Sequence, residues 1–291
     1  MRLKEQIIEK LLFVSALITV LTTIGIIAVL LVESLAFFSD VSIIDFLTDT
    51  EWTPLFAEKR FGILPLLSGT LLTTVIAIVV SLPVGLAIAI YLSEYAGAGL
   101  RRKLKPILEL LAAIPTVIYG YFALSFVTPI LQQFIPGLAG FNALSPGIVM
   151  GIMIIPLISS LSEDALYAVP GSIKEGAYAM GSSRLQTALR VMVPSASSGI
   201  MISVILGISR AIGETMIVAI AAGMQPRLTA NPLVPVETVT AYIVQVSLGD
   251  VPHGSLEYRT IFAAGLSIFV LTFILNNISF YLKRRFQEQY D

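Results

Sequence analysis

Two charged residues, Arg210 and Glu214, lie within an apolar run at 196–224. An arginine at the centre of an inserted helix costs about 2.5 to 3.5 kcal/mol, so its side chain should face protein, water or an anion. Its planar guanidinium donates paired hydrogen bonds to carboxylate or phosphate-like oxygens. The residues therefore predict an anion contact inside a membrane. An internal salt bridge that only neutralises Arg210 is the alternative.

Small residues accompany these two charges. In a continuous helix Glu214 follows Arg210 by one turn on the same face, and Gly199, Ser203 and Gly207 extend that face. Small residues at this spacing allow a second helix to approach closely. We expect the charges to point toward a helix interface or a cavity, with Glu214 holding Arg210 and releasing it to the anion.

Six apolar runs reach the roughly 20 residues that an α-helix needs to cross hydrocarbon. Hydrophobic residues make up 56% of the 291-residue chain and charged residues 13%, a composition typical of membrane proteins. Since only helices satisfy their own backbone in lipid at this length, we predict an all-α integral membrane protein with six transmembrane helices. The predicted spans are about 11–32, 66–92, 106–126, 144–166, 196–224 and 261–282. The first is interpreted as a retained span because it exceeds the core of a secretory signal.

The basic residues predict the orientation. Four of them, Lys59, Arg60, Arg227 and Arg259, fall on one side of these spans, and thirteen fall on the other. Because cytoplasmic loops carry the excess of Lys and Arg, both termini and the polar segment 172–194 are predicted to be cytoplasmic. We expect a multi-pass protein of a prokaryotic plasma (inner) membrane.

The segment 172–194 has the pattern of two short helices. Ser172 with Glu175 forms one predicted capping box, and Ser183 with Gln186 forms a second. Gly181 between them can adopt the left-handed conformation that ends a helix. An amphipathic elbow that rests on lipid headgroups, or on its own helix bundle, has the same local pattern.

The same segment resembles the EAA motif of ABC-importer permeases, E-A-A-x3-G-x9-I-x-L-P. The matching residues are Glu175, Ala177, Gly181 and Pro194, and the departures, all small or apolar, are Gly176, Val191 and Val193. The resemblance implies a type I ABC-importer permease architecture in which this cytoplasmic loop forms coupling helices. It also implies that the four matching residues couple the chain to a cytoplasmic ATPase.

Several classes of activity lack the residues they need. No G-x-x-x-x-G-K-[ST] occurs in the sequence, so the chain is predicted to bind no cofactor, and the ATP and Mg belong to a separate ATPase. The chain contains no cysteine and one histidine, which gives no metal or nucleophile motif for an enzyme. A net charge of −1 indicates no nucleic-acid partner.

The run LGISRAIGETM at 206–216 resembles the permeases of phosphate importers, closest to the C-type (PstC) subfamily. The likeness also covers LPVGLAIAIYLSEYA from Leu82 and ELLAAIPTVIYGYFAL from Glu109, and extends from about residue 61 to the C-terminus. It implies that Arg210 and Glu214 lie on the path of inorganic phosphate. It also implies three partners: a PstA-like second permease, a PstB-like ATPase homodimer and an extracytoplasmic, PstS-like phosphate-binding protein. Sulfate- or molybdate-type oxyanion permeases share part of the motif, and a secondary transporter is a further alternative.

We therefore predict a single transmembrane permease domain over 1–291, with an N-terminal span at 11–32, a permease core at 61–285 and the coupling segment 172–194. The outer loop 33–64 is expected to be ordered, and VETVTAYIVQVSL at 236–248 indicates a short helix. Glu109 is interpreted as a carboxylate near the start of span three, where the helix dipole favours it.

Overall fold

The computed structural model describes residues 2–286, with side chains for residues 5–97 and 99–281. Within that range the chain forms fourteen α-helices, three π-helical segments and no β-strand, which confirms the all-α prediction. The helices are α1 (Arg2–Asp40), α2 (Ile43–Thr48), α3 (Leu64–Ile90), α4 (Ala98–Ala113), α5 (Thr116–Phe122), α6 (Thr128–Phe134), α7 (Leu144–Tyr167), α8 (Gly171–Ala179), α9 (Arg184–Thr187), α10 (Val193–Ser195), α11 (Ser197–Ile212), α12 (Met216–Ala221), α13 (Val239–Leu248) and α14 (Leu256–Phe286). The π-helical segments are Tyr91–Tyr95, Ala123–Val127 and Ala188–Met192.

Five helical stretches among the described residues are long and apolar enough to cross a membrane. They are Glu5–Asp40, Leu64–Tyr95, Thr116–Phe134, Leu144–Tyr167 and Leu256–Tyr281. A sixth span is possible if the bent pair Arg184–Ser195 and Ser197–Ile212, whose axes differ by 74°, counts as one. Predicted spans one, two, four and six are confirmed, while spans three and five have different boundaries.

The third predicted span, 106–126, is wrong. Its first part belongs to α4, and a new helix, α5, begins after Pro115. Ile114 between them is extended, with φ −66° and ψ 129°, because a following proline disfavours the helical conformation. The stretch here that is long and apolar enough to cross a membrane is therefore Thr116–Phe134, formed by α5, the π-helical segment Ala123–Val127 and α6, and Glu109 lies in α4 near its C-terminal end.

The fifth predicted span, 196–224, is not one continuous helix. Helix α11 ends at Ile212, and α12 begins at Met216. The Glu214 carboxylate accepts hydrogen bonds from the backbone N–H groups of Met216 and Ile217, so a side chain competes with the helix for these donors. The intervening Gly213 also favours the interruption, since glycine is among the weakest helix formers.

Close packing of α3 against α7 forms the centre of the bundle. A Cβ atom on Gly151 of α7 would lie 2.8 Å from the carbonyl oxygen of Ala77 on α3. One on Gly147 would lie 2.7 Å from a methyl carbon of Ile76. Only glycine permits this approach of the two helices, and the contact buries residues such as Met150 completely.

The predicted small-residue stripe of α11 packs against α7. Gly207 faces Ile154 and Ile158, and the hydroxyl oxygens of Ser203 and Ser162 are 2.8 Å apart. A Cβ on Gly199 would lie 2.4 Å from the Cβ of Ala165. The prediction of a helix interface along this stripe is confirmed, and it fixes the position of Arg210 one turn beyond Gly207.

At the opposite end of the bundle a group of buried rings, which we call the aromatic cluster, consists of Phe37, Phe46, Trp52 and Tyr242. Trp52 packs edge-to-face on Tyr242 with 5.0 Å between ring centroids. These rings come from α1, α2, the loop before α3, and α13. The outer loop 33–64 is therefore ordered as predicted, and the predicted short helix is α13.

Candidate functional site

Arg210 lies in the last turn of α11, where a cation interacts favourably with the carbonyl end of the helix. Its side chain is exposed, and its nearest described polar contact joins Nη2 to the sulfur of Met153 at 3.8 Å. Among the side chains that the structure describes, no carboxylate is within ion-pair distance of Arg210. The guanidinium is thus available to a ligand, and the salt-bridge alternative does not apply in this conformation.

The Arg210 guanidinium forms part of the wall of a 280 Å³ cavity, which we call the Arg210 cavity. Helix α4 contributes Lys105 and Glu109 to the same wall, and α7 contributes Met153 and Ser160. Apolar side chains such as Leu108, Leu157 and Leu92 complete it. An apolar pocket with a few convergent charged groups is typical of a small-ligand site.

Glu214 does not share a face with Arg210, so this part of the prediction is wrong. Because α11 ends at Ile212, the carboxylate is buried at the start of α12, where Oε1 lies 3.1 Å from the Met216 nitrogen. The Glu214 carbonyl oxygen also accepts a hydrogen bond from Thr240, at 2.7 Å. Glu214 therefore joins α12 and α13, and its role on a substrate path stays a prediction.

A group of four charged side chains beside the cavity, which we call the ionic cluster, was missed in the sequence. It consists of Arg101 and Lys105 on α4 and Glu163 and Asp164 on α7. Glu163 is fully buried and pairs with both cations, while Lys105 Nζ also lies 2.9 Å from Asp164 Oδ1. The feature of the sequence that could have indicated this cluster is the pair of adjacent acids, Glu163 and Asp164, at the end of an apolar run.

The ionic cluster holds Lys105 in its charged form. Burial lowers the pKa of Lys105, but hydrogen bonds with Glu163 and Asp164 outweigh burial and raise the pKa above its ordinary value. The cluster also fixes α4 against α7, because Arg101 and Lys105 are one turn apart and both pair with Glu163. The cavity wall is thus positioned by ion pairs as well as by apolar packing.

The coupling segment, residues 172–194, folds as two short helices that meet at Gly181, as predicted. Gly181 has φ +84°, a conformation that favours glycine. Its N–H donates to the Tyr178 carbonyl at 2.9 Å, and the Ser182 N–H donates to the Ala177 carbonyl at 3.1 Å. These two hydrogen bonds form a Schellman motif, which ends α8 and reverses the chain.

One of the two predicted capping boxes is present. Ser183 and Gln186 exchange backbone and side-chain hydrogen bonds of 3.0 and 3.3 Å, which confirms the second box. The first is wrong, because α8 begins one residue earlier, at Gly171 after Pro170, and no side-chain cap forms there. The Glu175 side chain, which is not needed as a cap, is exposed on the surface of α8.

The surface of the coupling segment is partly apolar. Met180 is 86% exposed, and Leu185 and Leu189 are exposed as well. The other side of the segment is attached to the bundle, since Lys174 Nζ lies 2.6 Å from the buried Glu94 carboxylate at the end of the second span. The exposed apolar side chains indicate a surface for another protein.

Pro194 lies where the coupling segment joins α11. The π-helical segment Ala188–Met192 precedes it, and the chain bends by 74° after Ser195. The predicted bend near Pro194 is therefore present, but it lies after Ser195, since Pro194 occupies the first turn of α10, where its missing N–H is tolerated. Glu175, Ala177, Gly181 and Pro194 therefore belong to one unit that leads directly into the helix carrying Arg210.

Residues 81–288 match the family described as binding-protein-dependent transport system inner membrane component. The chain is 35% identical over 272 residues to a probable ABC transporter permease protein, YqgH, of Bacillus subtilis, covering 93% of this chain and 88% of that one. It is 36% identical over 259 residues to the phosphate transport system permease protein PstC of Mesorhizobium japonicum, covering 82% and 78% of the two chains.

Solved structures with a similar fold include two ABC transporters. The bacterial alginate transporter in complex with its pentasaccharide-bound periplasmic protein aligns with a TM-score of 0.63 at 18% identity, over 94% of each chain. The inward-facing MetNI methionine transporter aligns with a TM-score of 0.59 at 18% identity, over 78% of this chain and 95% of that one. These likenesses show the fold alone.

Proposed function

Because the chain belongs to the family of binding-protein-dependent transport system inner membrane components, we propose that it is a permease subunit of an ATP-driven importer of inorganic phosphate. Relatives that carry the name of phosphate permeases are 30 to 36% identical to it over most of its length. The observation in the structure that carries the proposal is Arg210, an unpaired guanidinium facing a cavity in the helix bundle. The chain moves the anion without reacting with it.

In this proposal Arg210 supplies the principal contact with the anion. A guanidinium presents two parallel N–H groups that match two oxygens of a tetrahedral oxyanion. The low dielectric of the surrounding apolar wall strengthens that attraction relative to water. Glu214, which positions α12 against α13, borders the path without contacting Arg210 in the conformation described here.

The energy for import comes from a separate ATPase, which uses ATP and Mg. The exposed surface around Glu175, Ala177 and Gly181 contacts that ATPase, and Pro194 marks the bend through which a displacement reaches α11. Since α11 carries Arg210, about 16 residues of chain separate Pro194, at the end of the coupling segment, from the anion contact. In this mechanism the chain itself does not need to bind a nucleotide.

The complete importer contains more than this chain. A second, PstA-like permease completes the translocation path, a PstB-like ATPase dimer binds at the cytoplasmic face, and a PstS-like phosphate-binding protein docks outside. Both termini face the cytoplasm of a prokaryotic inner membrane, an orientation supported by the distribution of Lys and Arg.

The test is phosphate uptake into proteoliposomes that contain the whole importer, with ATP inside and the binding protein outside. Arg210→Ala is expected to lower uptake by at least about 100-fold, because a charge-assisted hydrogen bond contributes roughly 1.5 to 3 kcal/mol and here two are lost. Arg210→Lys, which keeps the charge and loses the planar fork, is expected to give an intermediate rate.

Arg102→Ala is the matched control, since Arg102 is an exposed arginine of α4 outside the cavity wall. It should leave uptake unchanged. Size-exclusion chromatography checks that each variant assembles. Normal uptake by an assembled Arg210→Ala importer would refute the anion contact, and sulfate-driven rather than phosphate-driven ATP hydrolysis in the unmodified importer would refute the substrate.

A further inference from the structure

Glu109 has no structural explanation within its own helix. It lies just before the last turn of α4, Ala98–Ala113, in the half of the helix where the dipole does not favour negative charge. From the sequence, Glu109 was predicted near the start of a helix, where the dipole would favour a carboxylate. Because Glu109 lies near the other end of α4, the dipole does not explain its presence. Its side chain is exposed and forms no ion pair with any side chain among residues 5–97 and 99–281.

The Arg210 cavity combines two kinds of polar group. Arg210 and Lys105 present N–H donors to it, and Glu109 presents an acceptor. Lys105 has three N–H donors, of which one reaches Glu163 and one reaches Asp164. The third N–H of Lys105 has no partner among the side chains that the structure describes, and Lys105 lines the cavity.

A carboxylate in an anion site is unfavourable unless the anion carries a proton. Inorganic phosphate retains at least one hydroxyl group near neutral pH, whereas sulfate retains none. An oxygen of Glu109 can accept a hydrogen bond from a phosphate hydroxyl, but it repels a fully deprotonated sulfate. The arrangement of donors and acceptor therefore matches a protonated oxyanion.

We propose that Glu109 determines specificity in the Arg210 cavity, by accepting a hydrogen bond from the hydroxyl of a protonated oxyanion whose other oxygens contact Arg210 and Lys105. This inference rests on the proposed function, since it concerns the same anion path. It names the ligand class more narrowly: tetrahedral oxyanions that keep a proton at neutral pH. Lys105 is, in the same proposal, a second cationic contact.

The selectivity expected from such a group is large. A site that hydrogen-bonds a substrate hydroxyl rejects an analogue lacking it, because a buried polar group is then left without a partner. At an exposed carboxylate the effect is smaller than in a closed pocket, and we expect phosphate to bind about 100-fold more tightly than sulfate. Arsenate, which resembles phosphate in its protonation, should compete with phosphate.

The experiment measures anion binding to the permease–ATPase complex in lipid nanodiscs, without the binding protein, which would impose its own selection. Equilibrium dialysis at pH 7 with radiolabelled phosphate and radiolabelled sulfate gives the two affinities. Glu109→Gln is expected to lower the phosphate-to-sulfate ratio at least about tenfold, because it removes the charge that repels sulfate and weakens the acceptor. Glu9→Gln, the same change at an exposed position of α1, should leave the ratio unchanged.

The possible outcomes distinguish the specificity role of Glu109 from the proposed function. An unchanged ratio in Glu109→Gln, or an equal loss of both anions, overturns the specificity role while leaving the proposed function intact, provided that Arg210→Ala abolishes phosphate binding. If the unmodified complex binds no phosphate, or if Arg210→Ala binds it normally, the anion contact at Arg210 fails and the inference fails with it, whereas the proposed function fails only if the whole importer takes up no phosphate.

Discussion

Glu163 and Glu237 are both buried carboxylates, at 0% and 2% exposure, but their surroundings differ. Glu163, in the ionic cluster beside the Arg210 cavity, pairs with Arg101 and Lys105. Glu237 lies in the loop before α13, near the aromatic cluster, and no described cation is within ion-pair distance of it. Burial raises the pKa of Glu237 from an ordinary value of 4.5 to about 8.

The difference shows that the buried acids at the two ends of the molecule are stabilised in different ways, although ion pairs such as Arg60–Asp49 also occur near the aromatic cluster. Around the aromatic cluster, edge-to-face rings and apolar burial fix the loops, and a buried acid is kept neutral. Beside the cavity, ion pairs fix α4, and the charges persist. Charged groups are retained at the end where an anion is proposed to bind, and they position the side chains that face it.

The largest effect is expected from Trp52→Ala in the aromatic cluster. Trp52 is 2% exposed, and its truncation leaves a cavity among rings from several elements. Replacing a buried aromatic residue by alanine typically costs about 3 to 5 kcal/mol. Thermal unfolding of the detergent-purified importer, followed by circular dichroism, measures the loss.

Phosphate uptake by Trp52→Ala should remain normal at temperatures where the protein is folded, because Trp52 does not contribute to the wall of the Arg210 cavity. A loss of stability below about 1 kcal/mol would contradict the role given to this cluster. A selective loss of uptake would contradict the separation between the two regions.

The next largest effect is expected from Glu163→Gln in the ionic cluster. Removing one partner of a buried ion pair typically costs about 3 to 5 kcal/mol, and the partial exposure of Arg101 and Lys105 places this variant near the lower value. Helix α4 should become less firmly attached to α7. Faster hydrogen exchange in α4 measures that change.

Asp164→Asn is the control for Glu163→Gln. Asp164 has a side chain that is 59% exposed, and an exposed ion pair contributes about 0.2 to 1 kcal/mol. Equal effects of the two substitutions would show that burial does not distinguish these acids, and the comparison with Glu237 would then lose its physical basis.

The effect expected from Glu237→Gln depends on pH. The raised pKa means that the folded protein keeps a proton that the unfolded chain releases, so stability falls as pH rises from about 4.5 to about 8. Glutamine removes this dependence. Melting temperatures at several pH values in that window, at constant ionic strength, should therefore show a flatter slope for the variant.

Glu58→Gln, at an exposed position of the same side of the protein, serves as the control and should keep the unmodified slope. If Glu237→Gln melts with the unmodified pH dependence, Glu237 is ionised in the folded protein, and a cation absent from the isolated chain must then compensate it.

The sequence predicted the local features well where a single short-range interaction decides them. Gly181 takes the positive φ that ends α8, and Ser183 with Gln186 forms the capping box that begins α9, because both motifs involve neighbours in the chain. The small-residue stripe of α11 also appeared as expected. The sequence pattern does not indicate that α7 is the helix that packs against this stripe, because tertiary packing decides the partner.

The errors in the third and fifth predicted spans share a cause, whereas the capping box predicted at Ser172 failed because α8 begins one residue earlier. Apolar composition marks which residues are hidden from water, but it does not distinguish a continuous helix from two helices with a break. Pro115 ends one helix and starts another, and the Glu214 carboxylate captures the N–H groups that a continuous helix would use. Because of these two breaks, Glu109 and Glu214 lie in surroundings that differ from those predicted for continuous helices.

The sequence by itself determined the membrane class, the approximate spans, the coupling segment and the arginine available for an anion, because these follow from composition and from contacts between near neighbours. Only the tertiary structure placed Lys105 and Glu109 beside Arg210, separated Arg210 from Glu214, and paired Glu163 with α4. These arrangements join residues up to about a hundred positions apart. They depend on how helices pack and where they break, which no local spacing encodes.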